Sequence, residues 1–137
     1  MLPKPPLIAV VDDEDAVCRA LRRLLQTNGF EVRAFDSGRA FMDALPGEQP
    51  ECLVLDLHMP HMGGLAVLAR LQQERPGLPA IVITGHDSPE ARDGAARFGV
   101  GAFFRKPVDG EALVAAILAL LTPPGGPSVA GPQGDTP

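Results

Sequence analysis

Three apolar runs stand out along the chain, at residues 7–11, 52–55 and 80–83. They run directly into Asp12, Asp56 and Thr84. Unbroken apolar stretches of four or five residues read as strands buried on both faces, as in a parallel sheet. Two further strands read at residues 31–35 and 101–105, the second running into Lys106 and Pro107. Between them the apolar spacing changes to that of helices. Val17, Leu21, Leu24 and Leu25 share one helical face with Arg19, Arg22, Arg23 and Gln26 opposite, and Asn28 with Gly29 stops that helix. Ser37 is a candidate N-cap for a second helix reaching Leu45, closed by Pro46 and Gly47. Gly63 and Gly64 open a third, to about Arg75. Ser88, Pro89 and Glu90 start a fourth, to about Phe98, with a cap, an N-terminal proline and a first-turn acid. Gly94 inside it predicts a weak, mobile helix, since glycine costs about 1 kcal/mol there against alanine. Asp109 caps the last helix, to about Leu121.

Strands alternating with helices predict an α/β fold: a doubly wound, five-stranded parallel sheet with helices on both faces. Right-handed crossovers favour the flavodoxin-like order 2-1-3-4-5, in which the first and third strands are neighbours. At 137 residues the chain is one domain by length. We place an N-terminal extension at residues 1–6, the domain at 7–121, and a flexible tail or linker at 122–137. That last stretch holds five prolines and four glycines in sixteen residues, too many for a packed element.

The net charge of −5 argues against direct nucleic-acid binding, which needs lysines and arginines facing phosphates. Trp and Tyr are absent, which disfavours base or flavin stacking. Cys18 and Cys52 both lie in apolar surroundings and read as buried reduced thiols. No apolar run reaches membrane-spanning length, and residues 1–6 contain no signal-peptide core, so the expected location is cytoplasmic and off the membrane.

In the predicted strand order the chemistry gathers at one edge of the sheet. Asp12 and Asp13 follow the first strand, Asp56 ends the third, Thr84 the fourth, and Lys106 follows the fifth. Clustered carboxylates repel unless a cation neutralises them, and hard oxygen ligands suit Mg²⁺. A metal and an ammonium beside a lone carboxylate make Asp56 a candidate phosphoryl acceptor. Plainer readings stand beside this one. Asp13 or Asp15 caps the first helix; Thr84 merely ends a strand; Lys106 is a solvated charge. His58, His61 and His86 form a loose cluster, but no nearby cysteine completes a zinc set, so they read as solvent-facing loop histidines. The last helix has no charge from 112 to 121. That breadth of apolar surface suits either a well-buried helix or a partner surface.

The acidic pair Asp12 and Asp13, Asp56 with Met59, Pro60, Gly63 and Gly64, then Thr84 with Gly85 and Lys106 with Pro107, resembles the receiver domain of two-component response regulators. The likeness covers residues 7–121. The segments AIVITGHDS and FFRKP look most like the nitrogen-fixation type. The resemblance implies that Asp56 is phosphorylated by a sensor histidine kinase or phosphotransfer protein. It implies Mg²⁺ bound by Asp13 directly, by Asp12 mainly through water, by Asp56 and by the His58 backbone carbonyl. Lys106 is expected to pair with Asp56, Thr84 to move toward the phosphoryl group, and Phe103 to turn inward behind it. Lys106-Pro107 is expected to be cis. A face made by the fourth helix, fifth strand and fifth helix is expected to switch and to support a homodimer. Such a module is a self-catalysing signalling phosphoacceptor rather than a metabolic enzyme. Three rivals fit less well. An aspartyl-phosphate hydrolase needs an Asp-x-Asp pair after the first strand; a flavin module needs a Ser/Thr-rich phosphate loop there; a pseudo-receiver lacks the full acidic and basic set.

Overall fold

The computed structural model describes residues 4–121. Residues 1–3 of the expected extension and the expected tail at 122–137 lie outside them. Five strands, β1 (Leu7–Val11), β2 (Glu31–Phe35), β3 (Cys52–Asp56), β4 (Ala80–Thr84) and β5 (Ala102–Arg105), form one parallel sheet in the order β2-β1-β3-β4-β5. The helices are α1 (Asp15–Thr27), α2 (Gly38–Ala44), α3 (Gly64–Glu74), α4 (Pro89–Arg97) and α5 (Gly110–Leu121), with a 3-10 turn at Leu45–Gly47 after α2. This is the doubly wound topology expected from the pattern.

The alternation of side chains along each strand sorts the core into two layers. Ala9, Val11, Leu53, Leu55, Ala80 and Val82 meet α2, α3 and α4. Ile8, Val10, Cys52, Val54, Ile81 and Ile83 meet α1 and α5. Phe103 packs with the first layer and Phe104 with the second, so the two adjacent rings serve opposite faces.

The helix signals act where the residues predict. Ser37 Oγ accepts from Ala40 N–H and Ser88 Oγ from Ala91 N–H, both at 3.0 Å. Asp109 Oδ1 accepts from the N–H groups of Glu111 and Ala112. Gly29 ends α1 with φ +90°, a conformation glycine adopts freely. At α1 the expectation needs correcting: neither Asp13 nor Asp15 is the cap. The cap residue is Glu14, its side chain makes no capping bond, and Asp12 Oδ1 accepts the Glu14 N–H at 2.9 Å.

Gly94 has a packing reason that its helix pattern does not reveal. A Cβ there would stand 2.9 Å from Leu65 Cδ1, so the glycine lets α4 approach α3. In α4 only Ala91 and Ala95 are buried. α5, without charge after Glu111, buries Leu113 and Ile117 completely, while Val114, Leu120 and Leu121 pack part-buried on the same core. Leu118 of α5 is 52 % exposed.

Both thiols are buried, and burial pushes the Cys52 thiol up to about 12. Burial, then the nearby Asp12 charge, raises Cys18 as well. Since the thiolate is the reactive form, neither cysteine is expected to react with a disulfide reagent at mildly alkaline pH in the native protein. Both should react after urea unfolding, and rapid native labelling of either would contradict this burial.

Candidate functional site

Register carries the acids to one place. Val10 pairs with Val54 and Val11 with Leu55, so the next residues in line are Asp12 and Asp56. Both continue the parity of Val10 and Val54, toward the α1 and α5 side. Lys106 continues the parity of Phe104 toward the same side, and its N–H donates to the Thr84 carbonyl at 2.8 Å, extending the β4–β5 ladder. Thr84 continues the parity of Val82, toward the opposite layer that holds Phe103.

Asp12, Asp13 and Asp56 each offer a carboxylate oxygen within 4.8 Å of the others. Asp12 and Asp56 are buried; Asp13 is exposed. The Lys106 ammonium lies 2.8 Å from Asp12, 2.7 Å from Glu14 and 3.6 Å from Asp56. The expected pairing with Asp56 is thus the longest of three, because the ammonium is shared. Asp12 Oδ2 accepts no hydrogen bond of ordinary geometry and is balanced only by that ammonium. Burial, then the neighbouring Asp12 charge, raises the Asp56 pKa, against the Lys106 charge and the His58 N–H that donates to Asp56 Oδ1 at 3.3 Å. Lys106 is held above its ordinary range: partial burial opposes the charge, but the close ion pair with Asp12, the hydrogen bond to Glu14 and the Asp56 charge outweigh it. The Lys106 hydrogen bond in turn lowers Glu14.

The loop after β3 is fixed by close approach. A Cβ on Gly64 would stand 2.6 Å from the Asp56 carbonyl oxygen and 2.7 Å from Leu57 Cα, backbone atoms that cannot swing aside. The glycine that opens α3 therefore lets the helix start directly beneath the Asp56 loop.

A family model, the response regulator receiver domain, matches residues 8–118. The chain belongs to the response regulator receiver family. FixJ, a transcriptional regulatory protein of Bradyrhizobium diazoefficiens, is 36 % identical over 110 residues, which are 80 % of this chain and 54 % of FixJ. The response regulator MprA of Mycolicibacterium vanbaalenii is 38 % identical over 117 residues, 85 % of this chain and 51 % of MprA. The chain spans about half the length of these relatives. The crystal structure of a response regulator receiver protein from Pseudomonas putida has a TM-score of 0.82 at 27 % identity, covering 86 % of this chain and 99 % of that one. The nitrogen-fixation likeness read in AIVITGHDS and FFRKP is thus present, beside an MprA-type likeness of similar identity.

Within this receiver domain, Asp12, Asp13, Asp56 and Lys106 come together as expected, and Lys106-Pro107 is cis. The buried Thr84 is nearby but engaged: its Oγ1 accepts from His86 N–H at 3.0 Å and is hydrogen-bonded to His58 Nδ1 at 2.9 Å. His58, His61 and His86 are exposed, as expected. The His58 and His86 rings lie 4.9 Å apart, while His61 lines a separate groove with Ser37, Arg39 and Met62. Among the described residues, the one group able to hold a metal contains no histidine. Phe103 stands apart from the carboxylates, half-buried in the other layer, with Arg92 Cζ 4.6 Å from its ring centroid. Glu14, the His58–Thr84 bond and Arg92 are the participants sequence reasoning missed. Glu14 carried a signal in the acidic run after β1; the other two carried none.

The raised Asp56 pKa fixes a sign. The folded state binds a proton at Asp56 more readily than the unfolded chain, so stability falls as pH rises through that window and stays lower above it. At neutral pH, without added metal, Asp56→Asn is expected to raise the melting temperature, and the gain should vanish in acid. A lowered melting point at neutral pH would contradict it.

Proposed function

We propose that this domain is phosphorylated on Asp56 by a sensor histidine kinase or phosphotransfer protein, with Mg²⁺ bound, and relays the event through a surface formed by α4, β5 and α5. The observation that carries this reading is the convergence of three carboxylates within 4.8 Å around a lysine shared among Asp12, Glu14 and Asp56.

The donor set fits the metal. Carboxylate oxygens from different strand ends, two of them on buried side chains, are hard ligands that leave coordination positions open. Asp13 would ligate directly, Asp12 mainly through water, and Asp56 and the His58 carbonyl would complete the protein's share. Bound there, the ion supplies positive charge opposite the phosphoryl oxygens. The protein's own part is positioning and charge. One Asp56 oxygen attacks phosphorus; the bond to the donor histidine nitrogen breaks, and that nitrogen keeps the electron pair. Such a transfer needs little covalent machinery. Lys106 turns from Asp12 and Glu14 toward a phosphoryl oxygen. Thr84 gives up its His86 and His58 partners to donate to another, and Phe103 follows on the same sheet face. Hydrolysis of the acyl phosphate returns Asp56 to its starting state, so the domain catalyses its own reset without being a turnover enzyme.

The α4-β5-α5 surface suits a switch and a homodimer contact. β5 is an edge strand, α4 buries only two alanines, and α5 leaves Leu118 exposed. Among the described residues no helix is long and apolar enough to cross a membrane. We place the protein in the cytoplasm, off the membrane, and assign it no direct contact with nucleic acid, in keeping with its net charge of −5.

Incubation with acetyl phosphate and Mg²⁺ is expected to add one phosphoryl group by mass spectrometry, absent in Asp56→Asn. Equal labelling of both, or of neither with several phosphodonors, would remove the assignment.

Gly85 supplies a second test. A Cβ there meets nothing within 4 Å. Gly85→Ala should therefore change stability by less than about 0.5 kcal/mol. It should slow phosphotransfer from a phosphohistidine protein while sparing acetyl phosphate, because only the larger donor is crowded. Equal slowing with both donors would contradict crowding.

A further inference from the structure

A line of contacts runs from the end of β4 to the ring on β5. The Thr84 hydroxyl accepts from the His86 N–H at 3.0 Å. The next residue, Asp87, receives the Arg92 guanidinium through two parallel bonds, Nε to Oδ1 at 2.7 Å and Nη2 to Oδ2 at 2.8 Å. Arg92 Cζ stands 4.6 Å from the Phe103 ring centroid. Phe103 pairs in register with Val82, on the sheet face that Thr84 continues.

The geometry assigns an order of dependence. The Asp87 side chain is 18 % exposed and that of Arg92 55 %, so the carboxylate is the anchor and the guanidinium the mobile cover. A two-pronged bond sets the plane of the guanidinium as well as its place. A cation over an aromatic face is drawn to the ring's negative face. The Arg92 hydrogen bond lowers the Asp87 pKa, so the carboxylate is ionised at neutral pH. Asp87 precedes the Ser88 cap of α4 and Arg92 lies one turn inside, positions where a pair also fixes the chain's entry into a helix. A purely structural staple would hold the helix start and be indifferent to Phe103.

We propose that Arg92, held by Asp87, is a positioning residue that keeps the Phe103 ring in its resting place, so that the Asp87–Arg92 pair latches the receiver in its unphosphorylated arrangement. This rests on the reading of Asp56 as phosphoacceptor and Phe103 as the residue that moves. A contact made only at rest subtracts from the population of the active arrangement, and removing it adds to that population. The latch also joins the two switch residues. When Thr84 leaves the His86 N–H, the loop carrying Asp87 is freed, and Arg92 loses the anchor that keeps it over the ring.

The test uses the full chain and two readouts. The sequence has six phenylalanines and no Tyr or Trp, so ¹³C-labelled phenylalanine gives a simple aromatic NMR spectrum. In the unliganded protein, Arg92→Met is expected to shift the Phe103 resonances and open a second ring position. Arg92→Lys, which keeps the cation without the fork, should restore part of the parent spectrum. With Mg²⁺ and beryllofluoride, Arg92→Met and Asp87→Asn should each bind about two- to fivefold tighter than the parent, the size of one exposed cation–π contact. The double variant should gain no more than either single one. In a Phe103→Leu background, Arg92→Met should change nothing. Parent-like Phe103 resonances and affinity in Arg92→Met would overturn the latch, as would an equal gain in the Phe103→Leu background. Failure of the parent to bind beryllofluoride would instead overturn the acceptor reading, and the Phe103 spectrum would then decide the latch by itself.

Discussion

Like charges held close at the carboxyl edge of a parallel sheet set the terms for this molecule. Asp12 and Asp56 are buried side by side because their strands are neighbours in register, and Asp13 adds a third carboxylate at the rim. Burial removes the water that would screen them, so the repulsion weighs more than it would on a surface. The protein's own answer is a single ammonium. Lys106 is shared among three carboxylates and lies closest to Asp12 and Glu14, which leaves Asp56 the least compensated of the buried pair. Asp56 is therefore held less tightly by an ion pair than Asp12 is.

The sheet sorts these groups between its two faces. Strand parity sends Asp12, Asp56 and Lys106 toward α1 and α5, and Thr84 and Phe103 toward α2, α3 and α4. The acidic side is anchored by completely buried neighbours, including Leu113 and Ile117 of α5. On the other side lies α4, with two small buried residues and a glycine facing Leu65. Fewer buried apolar contacts mean a lower cost of local rearrangement. Thr84, bonded to the loop that leads into α4, joins the buried edge to this less tightly packed helix.

Much of the fold was legible because each element announces itself locally. The apolar runs marked buried strands, and Ser37, Ser88 and Asp109 marked helix starts through bonds each makes to backbone a few residues away. The first helix departs from that logic. Its acidic start suggested a capping side chain, but the nearby carboxylates are drawn into the site: Glu14 reaches Lys106, and Asp12 takes the Glu14 N–H. Gly94 departs in the other direction. A glycine that reads as a weakness along one helix is, across two helices, room for Leu65.

The sequence by itself determined which strands are buried on both faces, where each ends, and that an acid, a hydroxyl or an ammonium stands at each end that matters. Those are properties of periods and caps, which span a few residues. Only the tertiary structure decided how these groups pair: Lys106 with Asp12 and Glu14 before Asp56, Thr84 with His58 and His86, Arg92 with Asp87 and over Phe103. The longest of these pairings join residues far apart in the chain. Their partners are chosen by register between strands, by the approach of helices and by the rotamers that packing leaves open, none of which has a local period to read.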